Sequence, residues 1–192
     1  MDFVHARSVS LAACHLFMLS LCFSSFRKQV PNYPEMLREA ARVLRRGGIF
    51  FSGEIGRYVA FAPGYPGNPA VDAPGATRFF KVINDLLERI GLNEITGHIP
   101  HWLRDTGMFT GVRIQGHCIP IGDWHPSSRH KILGRAYLDA MTVFADSLKP
   151  LLRDEGGLSE WEICELIDGY VRDMRCVPGL VSVYRTVWAI RA

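Results

Sequence analysis

Apolar residues recur at helical spacing from Pro31 to Leu44, with Met36, Leu37, Ala40, Ala41, Val43 and Leu44 on one face. The pattern then changes without a spacer: two glycines, Gly47 and Gly48, lead into Ile49-Phe50-Phe51-Ser52, a short strand followed by Gly53 and Glu54. The spacing predicts a helix with a cationic last turn, capped by glycine and running straight into a strand. That is the second half of a crossover unit, and it predicts a parallel sheet covered by helices, an α/β fold. Ligands of such sheets bind beyond the carboxyl ends of the strands, where this reading places Glu54.

The rest of the chain supplies further elements. Asp2 to Ala6 predicts a short strand. Val9 to Phe26 is apolar on every side and predicts an N-terminal apolar helix. Gly56 to Gly75 is rich in Gly and Pro and predicts a long lid or binding loop. Helices are predicted over Thr77–Ile90, Ile99–Asp105 and Ser127–Arg153, the last with a stripe of Ile132, Leu133, Ala136, Tyr137, Ala140, Val143, Phe144 and Leu148. Ser159 and Glu162 have the spacing of a capping box. Val112–Ile121 and Leu180–Ile190 alternate as strands.

Composition narrows the class. The chain has 192 residues, 48% hydrophobic and 21% charged, with a formal charge of +3. This is enough for a sizeable core, and too little clustered charge for nucleic acid. The five cysteines form no CxxC pair, which suits a reducing compartment, cytoplasmic or nuclear. His98, His101 and His125 can be imagined as a metal triad, but nothing fixes them in one place, so no metal is expected.

The order strand, helix with "LREAARVLRRGG", strand ending in "GE", helix and two closing strands resembles the C-terminal half of class I S-adenosylmethionine-dependent methyltransferases. "FSGEIGRYVAFAPGYPG", "IPHWLRDTG" and "PIGDWHP" are similar to the fungal branch acting in small-molecule and secondary metabolism. The resemblance implies a partial Rossmann-like sheet, strands four to seven of the family. It also implies a helical substrate cap built from Arg57–Gly107 and Asp123–Pro178. It further implies S-adenosylmethionine as cofactor and a small-molecule methyl acceptor. Residues 1–8 then hold the fourth strand and 30–192 the remainder.

Two departures from the family stand out. The glycine-rich turn and the ribose-binding acid of the family's first half have no counterpart here. These residues by themselves are therefore expected to be inactive, and the fourth strand's edge is expected to self-associate or to pair with another chain. Residues 9–29 also interrupt the family pattern. Val9-Ser10 is encodable by a splice donor and Gln29 by an acceptor, and the interval keeps the reading frame, so a retained intron is one reading. A signal peptide or membrane anchor over Val9 to Phe26 is the rival reading, and a buried or aggregation-prone helix is the plainer one.

Candidate site residues follow, each beside a plainer role. Glu54 is the catalytic candidate, to position an acceptor or act as a base, or else a carboxylate paired with Arg57. His5 and Arg7, by the resemblance, face the cofactor, or else form a surface pair. Tyr58, His98, His101, Trp102, Asp123, Trp124 and His125 read as substrate-pocket walls. The plainer roles there are a helix cap for Asp123 and a core anchor for Trp124.

Overall fold

The computed structural model describes residues 1–7, 32–92 and 94–192. The apolar stretch from Val9 to Gln29, with its anchor and intron readings, lies outside them. No helix among the described residues is long and apolar enough to cross a membrane. The fold is mixed α/β and divides into two compact units. One comprises Met1–Gly56, Gly91–His117 and Tyr184–Ala192, the other Arg57–Ile90 and Cys118–Val183.

The first unit opens with the crossover. Strands β1 (Phe3–Arg7) and β2 (Ile49–Ile55) run parallel, from Phe3 opposite Ile49 to Arg7 opposite Gly53. Helix α1 (Tyr33–Val43) connects back to β2. Asn32 starts it by accepting the Glu35 N–H at 3.1 Å, and Pro34 occupies the first turn, where its missing N–H costs nothing. The end differs from the expectation. Leu44 is an extended C-cap, and the left-handed glycine is Gly47 at φ 76°, which turns the chain toward β2 rather than capping the helix.

β2 runs beyond Ser52 to Ile55, because it is paired on both sides. The last strand, β5 (Leu180–Arg191), lies antiparallel to it, with Ile190 opposite Ile49 and Tyr184 opposite Ile55. β4 (Phe109–Pro120) pairs with β5. Ala192 N–H donates to Met108 O at 3.0 Å and Thr186 Oγ1 to Gln115 O at 3.3 Å, so the numbering runs in opposite senses and the pair is antiparallel. Helix α4 (Ile99–Asp105) packs Ile99 and Leu103 into a core with Leu37, Phe50, Phe109 and Val187. α4 thus belongs to the sheet unit and not to a helical cap ending at Gly107.

The second unit is mainly helical. The stretch expected as a long loop holds β3 (Ala60–Phe61) and α2 (Pro69–Asp72), and α3 (Pro74–Arg89) starts inside it. β3 pairs antiparallel with Leu180 and Val181. Asp173 of α7 (Glu160–Cys176) accepts the Ala76 N–H at 3.0 Å, placing a carboxylate at the positive end of α3. Phe79 stacks on Tyr170 at 4.1 Å between the same two helices.

The single long helix expected over Ser127–Arg153 is two, α5 (Ser128–Ser147) and α6 (Lys149–Asp154). Pro150 lacks an N–H and forces the break, settling in the first turn of α6. The stripe on α5 is also corrected. Phe144 and Leu148 of the expected stripe are buried, but Ile132 and Val143 are 69% and 60% exposed, and Gly134 and Ala145 are buried as well. Gly134 decides this: its carbonyl accepts the Gly122 N–H at 3.0 Å, and only a residue without a side chain permits that approach.

Candidate functional site

The first place to examine is β2 near its carboxyl end. Ser52, Gly53 and Glu54 are all buried. Glu54 was expected just past the strand; it lies within it, opposite Arg185 of β5 and only 1% exposed. Cross-strand neighbours in this register share a face, and the Arg185 guanidinium donates to Thr96 O at 3.4 Å. Tyr33, the first residue of α1, shares a 3.0 Å hydrogen bond with Ser52 through their hydroxyls. Burial pushes the Tyr33 phenol well above its ordinary value of 10.0; the Ser52 bond opposes this and the Glu54 charge adds to it. The phenol is therefore a permanent neutral group in this cluster. The cluster ties the start of α1 to the middle of the sheet, and its carboxylate is closed to solvent.

His5 is exposed on β1, its ring edge-on to Phe51 at 5.2 Å and 6.0 Å from Phe3. Arg7 ends β1, its backbone opposite Gly53. The resemblance implies S-adenosylmethionine, and the donor chemistry here does not fit it. No glycine turn or ribose carboxylate is present in the sequence, His5 contacts apolar rings, and Glu54 is buried within the sheet. By themselves these residues do not make the cofactor's site.

His98, His101 and Trp102 stand on or beside α4 in the same unit. Trp102 packs against the core, 5.7 Å from Tyr33, and His98 stacks on the Trp102 ring at 5.4 Å. His101 Nε2 lies 3.2 Å from Asp105 on the helix surface. Trp102 and His98 are thus engaged in packing, and His101 in a local pair.

The second unit contains a cavity of about 400 Å3, within the range of small-molecule sites. Trp124 and His125 line it, together with Tyr65, Pro126, His130 and Cys118. Trp124 donates its indole N–H to Leu180 O at 3.1 Å, which fixes its plane. Tyr65 meets that ring edge-on at 5.7 Å and stacks on Phe61 at the same separation. His125 and His130 lie 4.3 Å apart, ring to ring. His125 Nδ1 accepts the Ser127 N–H at 3.1 Å, so in the neutral ring the proton sits on Nε2. Asp123 is directed elsewhere: it pairs with Arg135 at 3.3 Å, and Ser127, not Asp123, occupies the N-cap of α5.

Tyr58 lines a separate cavity of about 360 Å3 in this unit, with Phe80, Lys81 and Asn84. The signal for His130 was present in the sequence. It follows His125 by five residues across a helix start, which folds it back onto the same wall. Among the described residues no group of three or more His, Cys, Asp or Glu side chains is arranged to hold a metal ion.

No protein-family model matches this chain, and no curated protein does. Solved structures align along its whole length. Phosphoethanolamine N-methyltransferase 2 of Haemonchus contortus, in complex with phosphomonomethylethanolamine and S-adenosylhomocysteine, is 12% identical with a TM-score of 0.42. The alignment covers 100% of this chain and 33% of that one. A loganic acid methyltransferase with S-adenosylhomocysteine is 10% identical with a TM-score of 0.45, covering 100% of this chain and 62% of that one. The chain therefore spans 33% and 62% of the lengths of these two enzymes.

Proposed function

We propose that this chain is the second half of an S-adenosylmethionine-dependent methyltransferase, of the fungal small-molecule type. We propose also that these 192 residues do not transfer a methyl group by themselves. The observation that carries the reading is the β1–α1–β2 crossover, parallel and in register, with β5 and β4 continuing the same sheet. That is the strand–helix–strand order, with two closing strands, that the sequence motifs imply for strands four to seven. The inactivity rests on chemistry. Methyl transfer is largely proximity and alignment, and the residues that would grip and aim the donor are not in this sequence. The cofactor, when bound, supplies an electrophilic methyl. What this chain offers is an acceptor-side surface in which Trp124 and His125 wall a pocket and the Glu54 cluster stays structural.

A full-length transcript through the locus tests the ancestry. An in-frame upstream exon encoding a glycine-rich turn, with the codons for Val9 to Gln29 removed, is the expected result. A transcript that starts at Met1, keeps those codons and encodes nothing upstream would overturn it. Calorimetric titration of the chain with S-adenosylmethionine tests the inactivity, and micromolar binding would refute it.

The second reading is a non-catalytic partner. β1 pairs only with β2 among the described strands, which leaves its other edge for a strand of another chain or of a second copy. Co-purification with a protein carrying the glycine-rich turn supports this reading, and a strictly monomeric chain counts against it.

A further inference from the structure

We propose that the cavity of the second unit binds a planar aromatic ring carrying an anionic oxygen group, such as a carboxylate. This deepens the reading that Trp124 and His125 wall an acceptor pocket, and rests on it for the choice of cavity alone.

The walls select the ring. Tyr65 and Trp124 meet edge to face, and each is held from behind, Tyr65 by stacking on Phe61 and Trp124 by its bond to Leu180 O. Pro63, Pro120 and Pro126 add rigid apolar surface. Pre-set aromatic and proline walls lose little entropy when a flat apolar ligand enters. The volume of about 400 Å3 is well above the 150 Å3 or so that admits benzene alone, which leaves room for a substituent.

The polar groups select the charge. His125 and His130 are 4.3 Å apart, and the His125 tautomer fixed by Ser127 leaves Nε2–H as a donor. No carboxylate lines the cavity. His130 also lies in the first turn of α5, at the positive end of a 20-residue helix. That turn is Ser128-Arg129-His130-Lys131: it has no acid, and Ser127 makes no side-chain cap. Cations at a helix start are locally unfavourable, and an anion held by the imidazoles relieves this. A quaternary ammonium ligand would share the aromatic walls but meet the wrong field, so the anion is the ligand the site favours.

The probes are benzoate and its neutral isostere benzamide, titrated against the full chain by ligand-observed NMR. Benzoate is expected to bind at least tenfold more tightly than benzamide. His130→Gln, at an exposed position, is expected to weaken benzoate at least tenfold while leaving benzamide and the unfolding midpoint unchanged. Trp124→Leu is expected to weaken both ligands. Equal binding of the two probes, full benzoate affinity in His130→Gln, or no benzoate binding at millimolar concentration would each overturn the proposal. The assay needs neither cofactor nor methyl transfer. Its failure therefore leaves the methyltransferase reading standing, and a transcript that overturns that reading leaves this site open to the same test.

Discussion

Two buried tyrosines show how burial and hydrogen bonding part company at single residues. Tyr33 and Tyr170 are 3% and 0% exposed, and burial raises the pKa of both phenols, so both stay protonated. Tyr33 bonds Ser52; among the described residues nothing bonds the Tyr170 hydroxyl. Removing one partner of a buried pair strands the other, at about 1–3 kcal/mol. Removing an orphan hydroxyl strands nothing. Tyr33→Phe is therefore expected to lower the free energy of unfolding in urea by about 1 kcal/mol or more. Tyr170→Phe is expected to leave it unchanged or raise it. Equal losses in the two variants would mean that ring packing, not the hydroxyl, sets both.

At the scale of elements, contacts between backbones count as much as those between side chains. A Cβ on Gly134 would stand 1.9 Å from the Gly122 carbonyl oxygen, so Gly134→Ala must push α5 away from the turn that carries Trp124 and His125. Alanine favours a helix interior by about 1 kcal/mol over glycine, and overpacking costs about 1–3 kcal/mol, so net destabilisation is expected in chemical denaturation. A second prediction concerns the start of α7. Ser159 donates through its hydroxyl and its N–H to the Glu162 carboxylate, and its hydroxyl accepts the Glu162 N–H in return. Those bonds hold the Glu162 carboxyl below its ordinary value of 4.5. The contribution is thus complete above about pH 4.5 and lost as pH falls through the lower native value. The stability gap between the wild type and Ser159→Ala should be widest near neutrality and shrink in acid; a gap that does not change with pH would exclude the carboxylate. The capping box was legible because its parts lie three residues apart, and α4 was legible for the same local reason. The Gly134 contact joins segments twelve residues apart through main chain alone, with no side-chain pattern to announce it. The burial of Glu54 was equally hidden. β2 continues to Ile55 because β1 and β5 flank it, and β5 comes from the far end of the chain.

Each unit is assembled from segments distant in sequence, and the sheet of the first joins β1 and β2 from the start of the chain to β5 from its end. Long-range strand pairing of this kind forms late in folding, and until it does its edges are open to other chains. The native sheet keeps such an opening at β1, which among the described strands pairs with β2 alone, as β4 at another edge pairs with β5 alone. Natural edges are blunted by lysine, proline or a bulge. β1 instead reads Phe3-Val4-His5-Ala6-Arg7, its charge held back to the last position, and Phe3 is 52% exposed. A net charge of +3 on 192 residues gives little general repulsion to offset this. The chain is therefore expected to self-associate through β1, with the larger species growing with concentration in size-exclusion chromatography with light scattering. Phe3→Lys places a charge on that edge without touching the core behind β2. It should shift the distribution toward monomer at equal concentration and leave the melting midpoint of the monomer where it was. An unchanged distribution would move the association to another surface, the exposed Ile132 and Val143 side of α5 being the next to alter. Pairing through β1 also has a functional consequence: an edge occupied by a second copy is no longer available to a strand from a cofactor-binding half. Adding a chain that carries the glycine-rich turn should therefore compete with self-association, and the two equilibria should oppose each other in one titration.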